Sequence, residues 1–91
     1  MALARLKQND IIKKSVEIEE IIEKKIKISS GTFGSKLKIF QEKEKNSFLI
    51  SALWNLVQTR NHIAHRNDFE ISLKEYNLFI ANYEYVKKFL K

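Results

Sequence analysis

The chain has 91 residues, with 17 Lys and Arg against 11 Asp and Glu, which gives a net charge of +6. It contains no cysteine, so disulfides and thiolate metal sites are excluded. No apolar run approaches the roughly 20 residues that cross a bilayer, and residues 1–10 lack the apolar core of a signal peptide. We therefore expect one cytoplasmic domain over residues 1–91, with no membrane partner. The positive charge favours polyanionic partners, although dispersed, solvated lysines would give the same balance.

The first half of the chain predicts two helices separated by a turn. Ile11, Ile18, Ile22 and Ile26 recur at helical spacing and predict a first helix over residues 10–27. Serine, threonine and glycine are concentrated between residues 28 and 34, which predicts a break. A second, shorter helix is expected over residues 35–43. Residues 41–46 are charged and predict an exposed connector or a frayed helix end.

The second half predicts two longer helices. Residues 47–65 are apolar nearly all round at their start, which is typical of a helix that is central or covered by a partner subunit. Ser72 and Glu75 have the spacing of a capping box, and a fourth helix is expected from there to Leu90. The chain contains only two glycines and no proline, so few residues would interrupt its helices. We therefore predict an all-α fold, a small up-and-down bundle of about four helices.

The stretch from Arg60 to His65, at the end of the predicted third helix, contains the residue types that metal-free cleavage of RNA requires. Arg60 is a fixed, forked cation that suits phosphate. His65 can accept and donate protons near neutral pH. Asn61 is the polar residue beside Arg60. These three residues are the candidate catalytic residues.

The same residues match the R-N-x-x-x-H signature of the HEPN superfamily, which this chain resembles. The preceding residues 53–57, Leu-Trp-Asn-Leu-Val, resemble the family's usual entry into the motif. Residues 31–37, Gly-Thr-Phe-Gly-Ser-Lys-Leu, resemble a segment of some branches, including mannitol-repressor-like proteins. The order and the spacing of the two segments agree with that comparison.

The resemblance implies a HEPN-type homodimer that cleaves RNA without a metal or a cofactor, in a toxin–antitoxin or defence setting. The ribose 2′-OH would attack the adjacent phosphorus. Arg60 would hold the phosphate, His65 would act as general acid or base, and Asn61 would orient the site. Its partners would be RNA, a second copy of the chain and, in a toxin setting, an antitoxin protein.

Helix geometry favours a site shared between two subunits. Residues five apart point about 140° away from each other, so Arg60 and His65 do not share a face of a straight helix. Asn61 and His65, four apart, do share one. His62 and Arg66 are further candidates for RNA binding, although both also fit exposed positions of a polar turn. No metal site is predicted around His62 and His65.

Several structural alternatives apply to the same residues. Arg60 also fits a cation that stabilises a helix C-terminus, and His65 fits a histidine packed at the end of the bundle. The whole domain also fits a non-catalytic dimeric regulator or RNA-binding module, as in the mannitol-repressor-like resemblance.

Asn67 stands where HEPN toxins paired with nucleotidyltransferase antitoxins often carry a tyrosine that is AMPylated. Silencing by that route is therefore not expected.

Overall fold

The computed structural model describes residues 2–65 and 71–90, with side chains described for residues 7–63 and 71–90. This part of the chain forms four helices and no strand: α1 (Ala2–Ile26), α2 (Phe33–Lys43), α3 (Ser47–His65) and α4 (Leu73–Leu90). The predicted all-α fold with four helices is confirmed. The third and fourth helices begin and end where the sequence predicted, to within one residue.

The isoleucine stripe of α1 forms the centre of the core. Ile11, Ile18 and Ile22 are fully buried, and α1 packs against each of the other three helices. The largest helix–helix contact is between α3 and α4. Burying one such isoleucine stabilises the fold by about 1.5–3 kcal/mol, so this stripe is a main source of stability.

Short polar side chains determine where α2, α3 and α4 begin. The Thr32 hydroxyl accepts a hydrogen bond from the Ser35 backbone N–H, so α2 starts two residues before the predicted residue 35. The Ser72 hydroxyl accepts from the Glu75 N–H and donates to its carboxylate, which confirms the predicted cap of α4. Asn46 caps α3, because its Oδ1 accepts from two N–H groups of the first turn. Such caps satisfy backbone donors that have no partner within the helix.

The first helix is longer than the isoleucine stripe predicted. It begins at Ala2, eight residues before the predicted residue 10. Residues 2–7 are Ala, Leu, Ala, Arg, Leu and Lys, which are all strong helix formers. The isoleucine stripe covers only residues 11–26. The helix propensity of residues 2–7 extends α1 towards its N-terminus.

Two hydrogen bonds show that α1 and α4 run in the same direction. The Tyr76 hydroxyl donates to Asp10 at 2.7 Å, and the Tyr83 hydroxyl donates to Glu17 at 2.6 Å. From the first bond to the second, the donor moves from residue 76 to 83 and the acceptor from residue 10 to 17, so both move seven residues towards the C-terminus. Strictly alternating helices would make the first and fourth antiparallel, so the bundle departs from the simple up-and-down order.

The hydrogen bond to Asp10 and burial both raise the pKa of the Tyr76 hydroxyl.

Ser15 is a polar side chain in the apolar face of α1. It is fully buried, and its hydroxyl has no hydrogen-bond partner among the described residues. A buried polar group without a partner costs about 1–3 kcal/mol. Removing that group should therefore make the fold more stable.

We expect Ser15→Ala to raise the free energy of unfolding by about 1 kcal/mol. Urea titration would measure the change. Ser51→Ala is the matched control, because Ser51 is an exposed serine within α3 and gains only the helix propensity of alanine. Equal effects of the two substitutions would show that the buried hydroxyl has no energetic cost.

Candidate functional site

Arg60 lies on the buried side of α3. It follows Leu53 by seven residues and Leu56 by four, and both leucines are fully buried. Residues at that spacing share one face of a helix, so the Arg60 side chain leaves α3 on the side that faces the core. It is nevertheless 31% exposed, because it lies near the end of the helix. Arg60 therefore reaches both the interior and the solvent.

The interior partner of Arg60 is Glu19 of α1. The Arg60 Nη1 atom is 3.7 Å from the Glu19 Oε1 atom, an ion pair but longer than a hydrogen bond. The other oxygen of Glu19 accepts a hydrogen bond of 2.7 Å from Lys36 of α2. One carboxylate therefore joins three helices through two cations.

Lys36 is a buried ammonium group with two carboxylate partners. Its side chain is 3% exposed, and it donates to both Glu19 and Glu23. The hydrogen bond to Glu19, followed in size of effect by the hydrogen bond to Glu23, raises the pKa of Lys36 above its ordinary value. A buried charge is tolerated when it is paired and hydrogen-bonded in this way. The network contains two cations, Lys36 and Arg60, and two anions, so its charges balance.

Glu19 brings the two segments of the HEPN resemblance together. Lys36 belongs to the segment 31–37, and Arg60 begins the R-N-x-x-x-H motif. Both contact the same carboxylate, although the two segments are separated by more than twenty residues of chain. The sequence analysis did not single out Glu19 or Glu23, the two carboxylates that pair with Lys36. The available signal was their spacing of four residues along one edge of the isoleucine stripe, which places both on one side of α1.

Asn61, the neighbouring motif residue, lies about 100° from Arg60 around the axis of α3. Asn61 and His62 are exposed on α3. The helix continues without a break to His65, so positions 60 and 65 remain about 140° apart around its axis. A single chain therefore does not place Arg60 and His65 on one face. The side chain of His65 and the whole of Arg66 lie outside the described residues.

An open apolar groove lies between α3 and α4. It has a volume of about 410 Å³ and is lined by Phe48, Ala52, Asn82 and Tyr85; we call it the α3–α4 groove. Phe48 is 78% exposed, the most exposed large apolar residue described. Asn82, which lines the groove, donates a hydrogen bond to Asn55 and so links the two helices.

His62 belongs to the same side of α3 as this groove. Positions 48, 52, 55, 59 and 62 are spaced by four and three residues and so follow one helix face. Arg60 lies about 160° from His62 around the axis. The groove and Arg60 therefore occupy different sides of α3.

The tyrosines and the tryptophan have packing roles. Tyr83 is buried, and Tyr76 is half-buried against α1. The Trp54 indole N–H donates to Gln41 of α2.

Comparison of the chain with family models, with curated proteins and with solved structures finds no match. Within the described residues, no helix combines the length and apolar character needed to cross a membrane. The same residues contain no group of three His, Asp or Glu side chains close enough to hold a metal ion. The HEPN resemblance therefore depends on the motif and its context alone.

The raised pKa of Lys36 predicts that its contribution to stability is lost in alkali. A lysine whose pKa is raised by folding stabilises the fold fully below its ordinary value of 10.5, and this stabilisation declines as the pH rises through the raised value. We expect the stability difference between wild type and Lys36→Met to shrink in that range.

Urea unfolding at a series of pH values from neutral to strongly alkaline would measure this difference. Lys38→Met, which removes an exposed lysine from the same helix, is the control for loss of one positive charge. A wild-type advantage over Lys36→Met that stays constant across the series would contradict the prediction.

Proposed function

We propose that this protein is a metal-independent endoribonuclease of HEPN type that acts as a homodimer. The observation that supports this best is the R-N-x-x-x-H motif in the last turns of α3, with a partly exposed Arg60 and an exposed Asn61. The net charge of +6 suits a polyanionic substrate. A toxin–antitoxin or defence role, and residence in the cytoplasm, complete the proposal.

The proposed chemistry uses the RNA's own nucleophile. The ribose 2′-oxygen forms a bond to the adjacent phosphorus while the bond from phosphorus to the 5′-oxygen breaks. His65 removes the proton from the 2′-OH or supplies one to the leaving 5′-oxygen. Arg60 binds the phosphate oxygens, whose charge grows in the transition state, and Asn61 orients the reacting groups. The products are a 2′,3′-cyclic phosphate and a 5′-hydroxyl.

The proposed site needs a second copy of the chain, because positions 60 and 65 lie on different sides of the same helix, α3. In a two-fold dimer the same surface of each copy contacts the other. A symmetry axis roughly parallel to α3 places both motifs at the same end of the dimer, where they can line one cleft. The α3–α4 groove, with the exposed Phe48, supports an interface on these two helices. His62 and Arg66 would then add contacts to RNA.

The second candidate function is a non-catalytic dimeric regulator or RNA-binding module. The ion pair between Arg60 and Glu19 favours it, because that pair gives Arg60 a structural partner inside the bundle. Both candidates are basic helical dimers. Only the ribonuclease cleaves RNA.

We expect RNA cleavage in EDTA to depend on both Arg60 and His65. His65→Ala should lose about 10²–10⁴-fold in rate, the usual contribution of a positioned acid or base. Arg60→Ala should be comparably damaging, and Arg60→Lys should recover little, because an ammonium lacks the guanidinium fork. The measurement is gel analysis of mixed RNA with identification of the product ends.

Lys25→Ala is the control for loss of one positive charge, because Lys25 is exposed on α1. DNA is the control substrate, since it lacks the 2′-OH. Cleavage that survives His65→Ala, or that stops in EDTA, would exclude this mechanism. RNA binding without cleavage by the wild type would establish the regulator instead.

We expect the wild type to sediment as a dimer at micromolar concentration and Phe48→Glu to shift it towards monomer. A buried carboxylate in an apolar interface is costly. Leu73→Glu is the matched control, because Leu73 is 61% exposed and, like Phe48, lies in the first turn of its helix. A monomeric wild type, or equal effects of both substitutions, would count against an interface at the groove.

A further inference from the structure

We propose that Glu19 is a positioning residue for Arg60, and that the buried Lys36 limits how strongly Glu19 holds the guanidinium. This inference rests on the proposed function, in which Arg60 binds an RNA phosphate. It concerns α1, which the motif does not include. The three side chains come from three different helices.

The two oxygens of Glu19 have unequal partners. Oε2 accepts a hydrogen bond of 2.7 Å from Lys36, whereas Oε1 is 3.7 Å from the Arg60 Nη1 atom. The carboxylate is therefore bonded to Lys36 and only loosely paired with Arg60. Because Lys36 neutralises much of the charge on Glu19, the attraction left for Arg60 is reduced.

Burial restricts Lys36 more than Arg60. Lys36 is 3% exposed and is also bonded to Glu23, so it remains beside Glu19. Arg60 is 31% exposed, so part of its side chain is open to solvent. The buried Lys36 therefore forms the shorter bond to the carboxylate, and the partly exposed Arg60 keeps donors available.

A loose pair suits a residue that must bind phosphate. A guanidinium has five N–H donors in a planar fork, and one edge that faces Glu19 leaves the others for phosphate oxygens. A tight salt bridge to Glu19 would compete with phosphate. Without any partner the long side chain would populate many rotamers, and a small misplacement of a positioning group can lower a rate by about 10²-fold.

Glu19→Gln and Glu23→Gln are a matched pair that tests this. Each removes one carboxylate from Lys36 and raises the net charge by the same amount, but only Glu19 contacts Arg60. The probe is a 2′-O-methyl RNA oligonucleotide, which binds but cannot be cleaved. Its affinity would be measured by fluorescence anisotropy at one fixed salt concentration.

We expect Glu19→Gln to bind the probe about two- to fivefold more tightly than Glu23→Gln, the size of a partly exposed ion pair. In an Arg60→Gln background the two variants should bind equally, because the residue through which Glu19 acts is gone. With cleavable RNA, Glu19→Gln should lower both kcat and KM relative to the wild type. Glu23→Gln should not produce this joint decrease.

Equal affinities of the two single variants, or a difference that persists in the Arg60→Gln background, would overturn the proposal. Absence of cleavage by the wild type rejects the ribonuclease but leaves the binding comparison decisive, whereas absence of RNA binding overturns both. Should Glu19→Gln fail to fold, Glu19→Asp and Glu23→Asp replace the pair. Each aspartate keeps the charge beside Lys36 and shortens the reach of the carboxylate by one methylene.

Discussion

The fold depends on the interface that α1 presents to the other three helices. Its centre is the buried isoleucine stripe, and acidic side chains lie along its edges. Four of the five carboxylates of α1 accept hydrogen bonds from other helices: Asp10 from Tyr76, Glu17 from Tyr83, and Glu19 and Glu23 from Lys36. The apolar stripe supplies the driving force for packing but little directional information. The polar pairs at its edges define which residues of the neighbouring helices stand opposite which residues of α1.

The sequence predicted well what depends on local pattern. The isoleucine spacing, the glycine- and serine-rich turn and the Ser72 cap each report on a few neighbouring residues, and the corresponding elements are present. The start of α1 was missed because helix propensity without an apolar stripe gives no periodic signal. The relative direction of α1 and α4 depends on contacts across 66 residues of chain, which no local pattern contains.

The site was predicted only in part, for a related reason. The motif identifies Arg60, Asn61 and His65, and their positions on α3 follow from its regular geometry. Glu19 was not predicted, because an acidic residue on a helix rich in Glu and Lys resembles a solvated surface residue until Lys36 is placed against it. A lysine is seldom buried unless it is paired, so Lys36 also gave no sign of its burial within the sequence.

The cap at the start of α3 has a consequence for the apolar residue beside it. Asn46 accepts hydrogen bonds from the backbone N–H groups of Phe48 and Leu49, so the backbone that carries the exposed Phe48 ring is held by its own cap. Leu49 on the following position is buried and anchors the same turn in the core. Any partner that covers this ring would restrict only its side-chain torsions, because the main chain is already ordered. The conformational entropy that binding usually removes from a surface loop has here been removed during folding, which makes an aromatic group at a helix start an efficient anchor for association.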